Sequence, residues 1–183
     1  MRKIISIAGT VGSGKSTICK LLSEELNYDC YLMGDMFRET GMKMGMNISE
    51  FNEYMLNNPG VDKIIDQTII DVCSRKEELV FSSRVAWHIV PDHFKIFLYV
   101  NTSVAAKRIY EDGLRIGEEY SSIEEAVENV IKRNESEKQR YIKIYNIDVT
   151  NTENYDLALD TSNMTILEVL NTIIQKYKEY IGE

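Results

Sequence analysis

The segment from Gly9 to Ser16, GTVGSGKS, fits the phosphate-binding loop pattern G-x-x-x-x-G-K-[ST] in full. Its glycines allow a tight turn that points successive backbone N–H groups inward, where they and the N-terminus of a following helix bind an anion. Lys15 is expected to bridge the outer phosphates of a nucleotide, and the Ser16 hydroxyl to coordinate Mg²⁺. The predicted nucleotide-binding residues are Gly9, Thr10, Val11, Gly12, Ser13, Gly14, Lys15, Ser16 and Thr17.

A phosphate-binding loop occurs in GTPases, motor ATPases and kinases, so other residues must distinguish these classes. The chain contains no N/TKxD sequence of the kind that reads guanine in GTPases. The apolar run LVF at 79–81 ends in Ser82-Ser83, where a motor ATPase usually has an acidic residue. A phosphotransferase needs no such acid, because its acceptor supplies the nucleophile and catalysis is positioning and charge neutralisation. These features favour a small phosphotransferase.

Phosphoryl transfer of this kind needs arginines outside the loop, and the sequence places several after predicted strands. Arg38 follows the second predicted strand and Arg84 follows the third. Ligands of an open parallel sheet bind at the carboxyl ends of its strands, so both side chains are candidates to hold a phosphate. Arg108 and Arg115 follow the fourth strand, in KRIYEDGLR. The alternative for each arginine is a solvated charge or an ion pair with a nearby glutamate.

Further candidates lie on a predicted helix and just after the second strand. Arg133, Glu137 and Arg140 follow one another at i, i+4 and i+7, on one helical face over about 10 Å. Asp35 lies in MGDMF, after the second predicted strand. It is expected either to orient the acceptor or Mg²⁺, or to cap the next helix.

The elements that position these residues are indicated by the apolar pattern. Continuous apolar runs are typical of strands buried on both faces, and they fall at 4–8, 30–33, 79–81, 96–100 and 157–159. Helical stripes fall at 15–26, 61–73, 122–145 and 164–181. Strands that alternate with helices predict a three-layer, doubly wound, parallel five-stranded sheet in a single domain, residues 1–183. The long interval before LVF predicts a small helical insertion over 36–75, able to move relative to the sheet.

Composition limits the setting in which the protein works. The net charge of −8 disfavours polymeric nucleic acid and acidic membranes as partners. No apolar run is long enough for a membrane span, and MRKIISIAG lacks the cleavage site of a signal peptide. Three cysteines without CxxC spacing suit a reducing compartment. We therefore expect a cytoplasmic protein, and a monomer.

Several segments together resemble the cytidylate kinase family, a branch of the nucleoside monophosphate kinases among the P-loop phosphotransferases. They span nearly the whole chain in order, as GTVGSGKSTICKLLSEEL, MGDMFRE, SSRVAWHIVPDHFKIFLYVN, RNESEKQRY and YDLALDTS. The most discriminating pieces are R-x-x-x-[DE]-x-x-R, here Arg133, Glu137 and Arg140, and G-x-x-[FY]-R, which ends in Arg38. The resemblance implies transfer of the γ-phosphoryl of ATP to CMP or dCMP with Mg²⁺.

The resemblance also implies a role for each candidate residue. Arg38 and Arg84 would grip the acceptor phosphate, and residues 104–121 would form a lid that carries Arg108 and Arg115. The residues implied to bind substrate are Asp35, Arg38, Arg84, Arg133, Glu137 and Arg140, the last three at the cytosine or sugar. The residues expected to act in catalysis are Lys15, Arg84, Arg108 and Arg115.

The chain departs from the family pattern beside Arg84. Bacterial members usually have Gly-Arg-Asp where this chain has Ser83-Arg84-Val85, and Glu137 replaces the commoner aspartate. Two alternatives therefore stay open. One is a kinase of another small acceptor, and the other is a nucleotide-binding regulatory protein whose acceptor site has degenerated.

Overall fold

The computed structural model describes residues 3–112 and 120–183. Within them, five parallel strands form one sheet in the order β2-β3-β1-β4-β5. This order places β1, the strand that leads into the phosphate-binding loop, at the centre of the sheet. The strands are β1 Lys3–Gly9, β2 Asp29–Leu32, β3 Glu78–Ser82, β4 Phe94–Tyr99 and β5 Leu157–Asp160. All five predicted strands are confirmed, with ends that differ by at most two residues.

Helices follow the strands along the chain. In the described residues they are α1 Lys15–Leu26, α2 Met33–Lys43, α3 Ile48–Asn57, α4 Pro59–Arg75, α5 Ala86–Ile89, α6 Thr102–Asp112, α7 Ile123–Tyr145 and α8 Ile166–Ile181. A short 3₁₀ turn at Thr152–Asn154 precedes β5. Every helix in the described part of the chain is too short or too polar to cross a lipid bilayer.

Helices cover both faces of the sheet and bury its apolar side chains. On one face Ile5 of β1 packs in a cluster with Leu22 of α1 and Ile173 of α8. On the other face Ile4 packs in a cluster with Ile69 of α4. Successive residues of a strand point to opposite faces, so a strand covered on both sides must be apolar throughout. This arrangement confirms the predicted three-layer, doubly wound fold.

Three helices, α2 to α4, fill the chain between β2 and β3, where the sequence predicted a helical insertion over 36–75. Helical structure begins at Met33, directly after β2 ends at Leu32. The sequence predicted that Met33 would extend the strand. Met33 lies instead in the first turn of α2, where it is buried in the cluster beneath α4. The role of this insertion in binding an acceptor, and its motion, stay predictions.

The predicted lid, residues 104–121, begins inside α6. Ala105 of this helix is buried in a cluster with Val11 of the phosphate-binding loop and with residues of α7. This first part of the segment is therefore packed against the loop. Arg115 lies in 113–119, outside the described residues, and the lid stays a prediction.

Candidate active site

The phosphate-binding loop connects β1 to α1, and two of its glycines are required by their surroundings. Gly9 has a φ of +148°, and a Cβ atom there would lie 1.9 Å from the carbonyl oxygen of Leu98 in β4. Gly12 has a φ of +76°, and a Cβ atom there would lie 2.7 Å from the Cβ of Ala105 in α6. Side chains at either position would collide with neighbouring elements, and both backbones favour glycine. The loop therefore takes its shape from β4 and α6 as well as from its own sequence.

Polar contacts hold the loop in its turn. The Ser13 hydroxyl donates to the Thr10 carbonyl at 2.9 Å, and Lys15 Nζ donates to the same carbonyl at 2.5 Å. The backbone N–H of Val11 donates to Oδ1 of Asn134 in α7 at 2.9 Å. Asn134 lies between the predicted site residues of α7, and it was not among the candidates. It links the loop to the helix that carries them.

A cavity of about 70 Å³ lies beside the loop and is lined by positively charged side chains. Its lining includes four cationic side chains, and none of the described residues that line it is acidic. Such a cavity suits phosphate groups, because cations and inward N–H groups stabilise their negative charge. The lining consists of Val11, Gly12, Gly14, Lys15, Ser16, Thr17, Arg38, Arg84 and Arg133.

The same cavity suits Mg²⁺ carried with nucleotide phosphates. Ser16 lies in the first turn of α1, exposed, and lines the cavity. Mg²⁺ keeps several water ligands and binds with few protein ligands plus substrate phosphates, so one hydroxyl beside a phosphate cavity fits this ion. The Ser16 hydroxyl is the group that would hold it, and binding of Mg²⁺ there stays a prediction.

A second cavity adjoins the first, and Lys15 and Arg84 line both. It lies between the carboxyl end of β3, the insertion and α7, where Ser82 and Ser83 mark the end of β3. The residues that line it are Lys15, Met33, Gly34, Phe37, Asp62, Asp66, Ser82, Ser83, Arg84, Val85, Glu137, Arg140 and Tyr141. We call it the acceptor pocket after the role that the family resemblance implies for Arg84, and that role stays a prediction.

Arg84 and Glu137, predicted separately, contact each other in the structure. Arg84 Nε lies 2.5 Å from Glu137 Oε2, and both side chains are largely buried. The pair joins the end of β3 to the middle of α7. A carboxylate that binds one edge of a guanidinium restricts its orientation and leaves other N–H groups to face the cavities.

Arg140 is held on several sides at once. Its guanidinium donates to Asn52 Oδ1 at 3.0 Å and to the Tyr141 hydroxyl at 2.9 Å. It also lies over the Phe37 ring at 5.0 Å and the Tyr141 ring at 4.8 Å from the centroids. Its Nε lies 3.7 Å from Asp62 Oδ1. These contacts lock Arg140 in place between α2, α3, α4 and α7.

Two acidic residues of the acceptor pocket were missed by sequence reasoning. Asp62 and Asp66 lie one turn apart on α4, and both are buried. Burial raises the pKa of Asp62 to about 6, Arg140 opposes the shift, and the charge of Asp66 adds to it. Asp66 accepts a hydrogen bond from the Tyr145 hydroxyl. The i, i+4 spacing of two acids in a helix rich in isoleucine was the available signal.

Asp35 and Arg108, two further predicted site residues, lie in different parts of the structure. Asp35 lies in the first turn of α2, not at its N-cap, and forms an ion pair with Arg38. Arg108 donates to the Thr161 carbonyl at 2.6 Å and to its hydroxyl at 3.1 Å. It lines a third cavity of about 540 Å³ between the loop, α1 and α8, and not the cavity that contains Arg84. Closure of Arg108 over a transferred phosphoryl group stays a prediction.

The chain is similar to known proteins over most of its length. Residues 4–163 match the sequence profile described as the Cytidylate kinase-like family. A cytidylate kinase from Methanosphaera stadtmanae is 31% identical over 170 residues, 93% of this chain and 95% of that protein. One from Thermoplasma acidophilum is 35% identical over 179 residues, 96% of this chain and 92% of that protein.

Another relative is an S-adenosylmethionine-dependent nucleotide dehydratase from Lacinutrix mariniflava. It is 33% identical over 180 residues, which are 98% of this chain but only 37% of that protein. This chain therefore corresponds to a minor part of the dehydratase.

Solved structures support the fold. A shikimate kinase from Aquifex aeolicus superposes with a TM-score of 0.57 at 21% identity, covering 98% of this chain and 99% of its own. A gluconokinase from Sinorhizobium meliloti does so with a TM-score of 0.61 at 14% identity, covering 98% and 95%. With the loop, the cationic cavity and the family match, these findings make the chain a phosphotransferase that belongs to the cytidylate kinase-like family.

Proposed function

We propose that the protein transfers the γ-phosphoryl group of ATP to a nucleoside monophosphate, and that CMP or dCMP is the acceptor. One observation carries the proposal. The cationic cavity around Lys15, Arg38, Arg84 and Arg133 adjoins a separate acceptor pocket, and Lys15 and Arg84 line both. The γ-phosphate of the donor and the phosphate of the acceptor must meet in line. Cationic side chains shared by the two sites can position both groups and neutralise their charge.

The donor is bound at the phosphate-binding loop. Backbone N–H groups of the loop and Lys15 hold its phosphates, with Lys15 exchanging its contact with the Thr10 carbonyl for phosphate oxygens. The Ser16 hydroxyl would hold Mg²⁺, which would supply neutralisation of the phosphate charge. The cavity of about 540 Å³ beside Arg108 has the size of a small-molecule site, and we assign to it the base and ribose of ATP.

The acceptor phosphate binds to Arg38 and Arg84 and supplies its own nucleophilic oxygen. A phosphate monoester is mostly ionised near neutral pH, so no protein base is needed. This agrees with a third strand that ends in Ser82 and Ser83. Arg115, from the predicted lid, is proposed to close over the transferred group and exclude water.

The relatives favour a nucleotide as the acceptor over another small molecule. The cytidylate kinases and the nucleotide dehydratase all take their names from nucleotides. The shikimate kinases and the gluconokinase are below 25% identical and share the fold only. We therefore rank a kinase of another small acceptor, or a regulatory protein with a degenerate acceptor site, behind the nucleotide kinase.

The test is ADP release from ATP and Mg²⁺ with CMP, dCMP, UMP and AMP supplied in turn. Release that depends on CMP or dCMP supports the proposal. Release without any acceptor would identify an ATPase. Tight ATP binding without release would identify a regulatory protein.

A further inference from the structure

The acceptor pocket contains a buried carboxylate oxygen whose hydrogen-bonding capacity is unused. Asp62 is only 4% exposed, and its Oδ1 lies 3.7 Å from Arg140 Nε. Its Oδ2 is buried and accepts no hydrogen bond from any described residue. A buried acceptor without a donor loses its hydration and gains no replacement, so folds seldom keep one without a use.

The polarity of the pocket defines what could donate to Asp62. Lys15 and Arg84, the latter paired with Glu137, lie where the pocket meets the phosphate cavity. Asp62 and Asp66 supply hydrogen-bond acceptors from α4, beside Arg140. A matching ligand has a phosphate at one end and a hydrogen-bond donor at the other. A nucleoside monophosphate has this form when its base carries an amino group.

Two further observations point to the base and not the sugar. The rings of Phe37 and Tyr141 line the same pocket, each with the Arg140 guanidinium over one face, and give the pocket aromatic surface for a base. Glu137, the acid expected from sequence at the base or sugar, is bound to Arg84 at 2.5 Å. Asp66 accepts from the Tyr145 hydroxyl, so among the three acids that line the pocket Asp62 has the buried oxygen without a donor.

We propose that Asp62 selects acceptors whose base carries an exocyclic amino group, by accepting a hydrogen bond from that group at Oδ2. The inference rests on the proposed function and deepens it, because it names the residue that distinguishes cytosine from uracil. A carboxylate accepts well from N4 of cytosine. Uracil presents a carbonyl oxygen at the corresponding position, and two acceptors would then face each other in a buried site.

The test compares kcat/KM for CMP, dCMP and UMP in the wild type and in Asp62→Asn. The amide can donate to O4 of uracil, so we expect the CMP-to-UMP ratio to fall by about 100-fold or more. Asp71→Asn is the matched control, since Asp71 lies on the exposed side of the same helix and undergoes the same change of charge. Its ratio should equal that of the wild type.

Other outcomes overturn the inference and distinguish its failure from that of the proposed function. Equal losses for CMP and UMP in Asp62→Asn would give Asp62 a merely structural role. A change in the CMP-to-dCMP ratio alone would place Asp62 at the sugar. If the wild type phosphorylates no nucleoside monophosphate, the proposed function fails and the inference fails with it.

A second measurement needs no variant and holds even if Asp62→Asn does not fold. The N4,N4-dimethyl derivative of CMP keeps the ring and phosphate but has no N4 donor. The wild type should use it at least about 100-fold less efficiently than CMP. Equal use of the two would refute a hydrogen bond from N4 to Asp62.

Discussion

At the scale of single residues, arginines of the site are held by the protein's own acids. Arg84 contacts Glu137, Arg140 lies near Asp62, and Arg38 pairs with Asp35. An arginine that is already oriented loses less conformational entropy when it binds a phosphate or a base. Oriented arginines are needed in this chain because its net charge of −8 repels anionic ligands.

Arg84→Ala tests which substrate this arginine serves. We expect kcat/KM for CMP to fall by roughly 10²–10³ because a charge-assisted contact to the acceptor phosphate is lost. The KM for ATP should change little. Arg75→Ala, an exposed arginine at the end of α4, is the control and should resemble the wild type. Equal losses for ATP and CMP would place Arg84 on the donor.

Asp62 should make base selection depend on pH. Burial and the charge of Asp66 raise the pKa of Asp62 to about 6 although Arg140 lowers it. Below this pH the neutral acid accepts poorly from N4 of cytosine and can donate to O4 of uracil. From about pH 7.5 to about pH 5.5 the ionised fraction falls roughly fourfold, and the CMP-to-UMP ratio of kcat/KM should fall with it.

The CMP-to-UMP ratio of kcat/KM does not depend on ionisation of the acceptor phosphate, which would otherwise change the activity over this pH range. CMP and UMP carry the same phosphate, so protonation of that phosphate affects both substrates alike. In Asp62→Asn the ratio should stay constant over the same pH range. A ratio that falls equally in both proteins would assign the titration to another group.

At the scale of elements, α7 connects the two halves of the site. Arg133 lines the phosphate cavity, Glu137 and Arg140 line the acceptor pocket, and Asn134 holds the loop N–H of Val11. The i, i+4, i+7 spacing by itself predicts that three of these residues share one face of a helix. Which elements that face meets depends on how α3, α4 and the loop pack around it.

The start of α7 gives a prediction about stability. Ser122 is the N-cap, and its hydroxyl accepts from the Glu125 N–H at 3.2 Å. The Glu125 carboxylate accepts from the Ser121 N–H at 2.7 Å and not from Ser122, so the reciprocal bond of a capping box is not formed at Ser122. Ser122→Ala should lower the free energy of unfolding by about 1 kcal/mol in urea denaturation. Ser122→Asp keeps a cap acceptor and should restore stability. Equal stability of all three proteins would show that the cap contributes nothing.

At the scale of the whole molecule, a buried histidine should limit stability in acid. His93 is 1% exposed, and its Nε2 lies 2.8 Å from the Ser6 hydroxyl of β1. Burial, with a contribution from Lys95, lowers the pKa of His93 to about 4. Its ordinary value is 6.5, so the unfolded chain binds a proton first as the pH falls. The free energy of unfolding should therefore decrease as the pH falls from 6.5 to about 4.

The expected loss is about 3 kcal/mol in the free energy of unfolding, from a difference of about 2.5 pKa units. The measurement is urea denaturation across this pH range for the wild type and for His93→Gln. The variant should show a shallower decline, because position 93 no longer takes up a proton. Parallel declines in the two proteins would show that other groups control acid stability.

Local features of the sequence determined much of this protein. The continuous apolar runs and helical stripes predicted the five strands and the main helices, because burial on one or both faces leaves a periodic pattern. The loop pattern predicted the anion site, because its inward N–H groups and its lysine lie next to one another in the chain, although β4 and α6 also restrict the shape of the loop. The family resemblance supplied the reaction that we propose.

Only the tertiary structure decided which distant side chains meet. Asp62 and Asp66 line the acceptor pocket because α4 packs near α7, and their i, i+4 spacing by itself does not indicate which helix they face. Arg108 of α6 met Thr161 because β4, which precedes α6, pairs with β5, which Thr161 follows. Such contacts join residues far apart in the chain, so they arise from the order of the strands and the packing of helices. No short-range pattern in the sequence reports them.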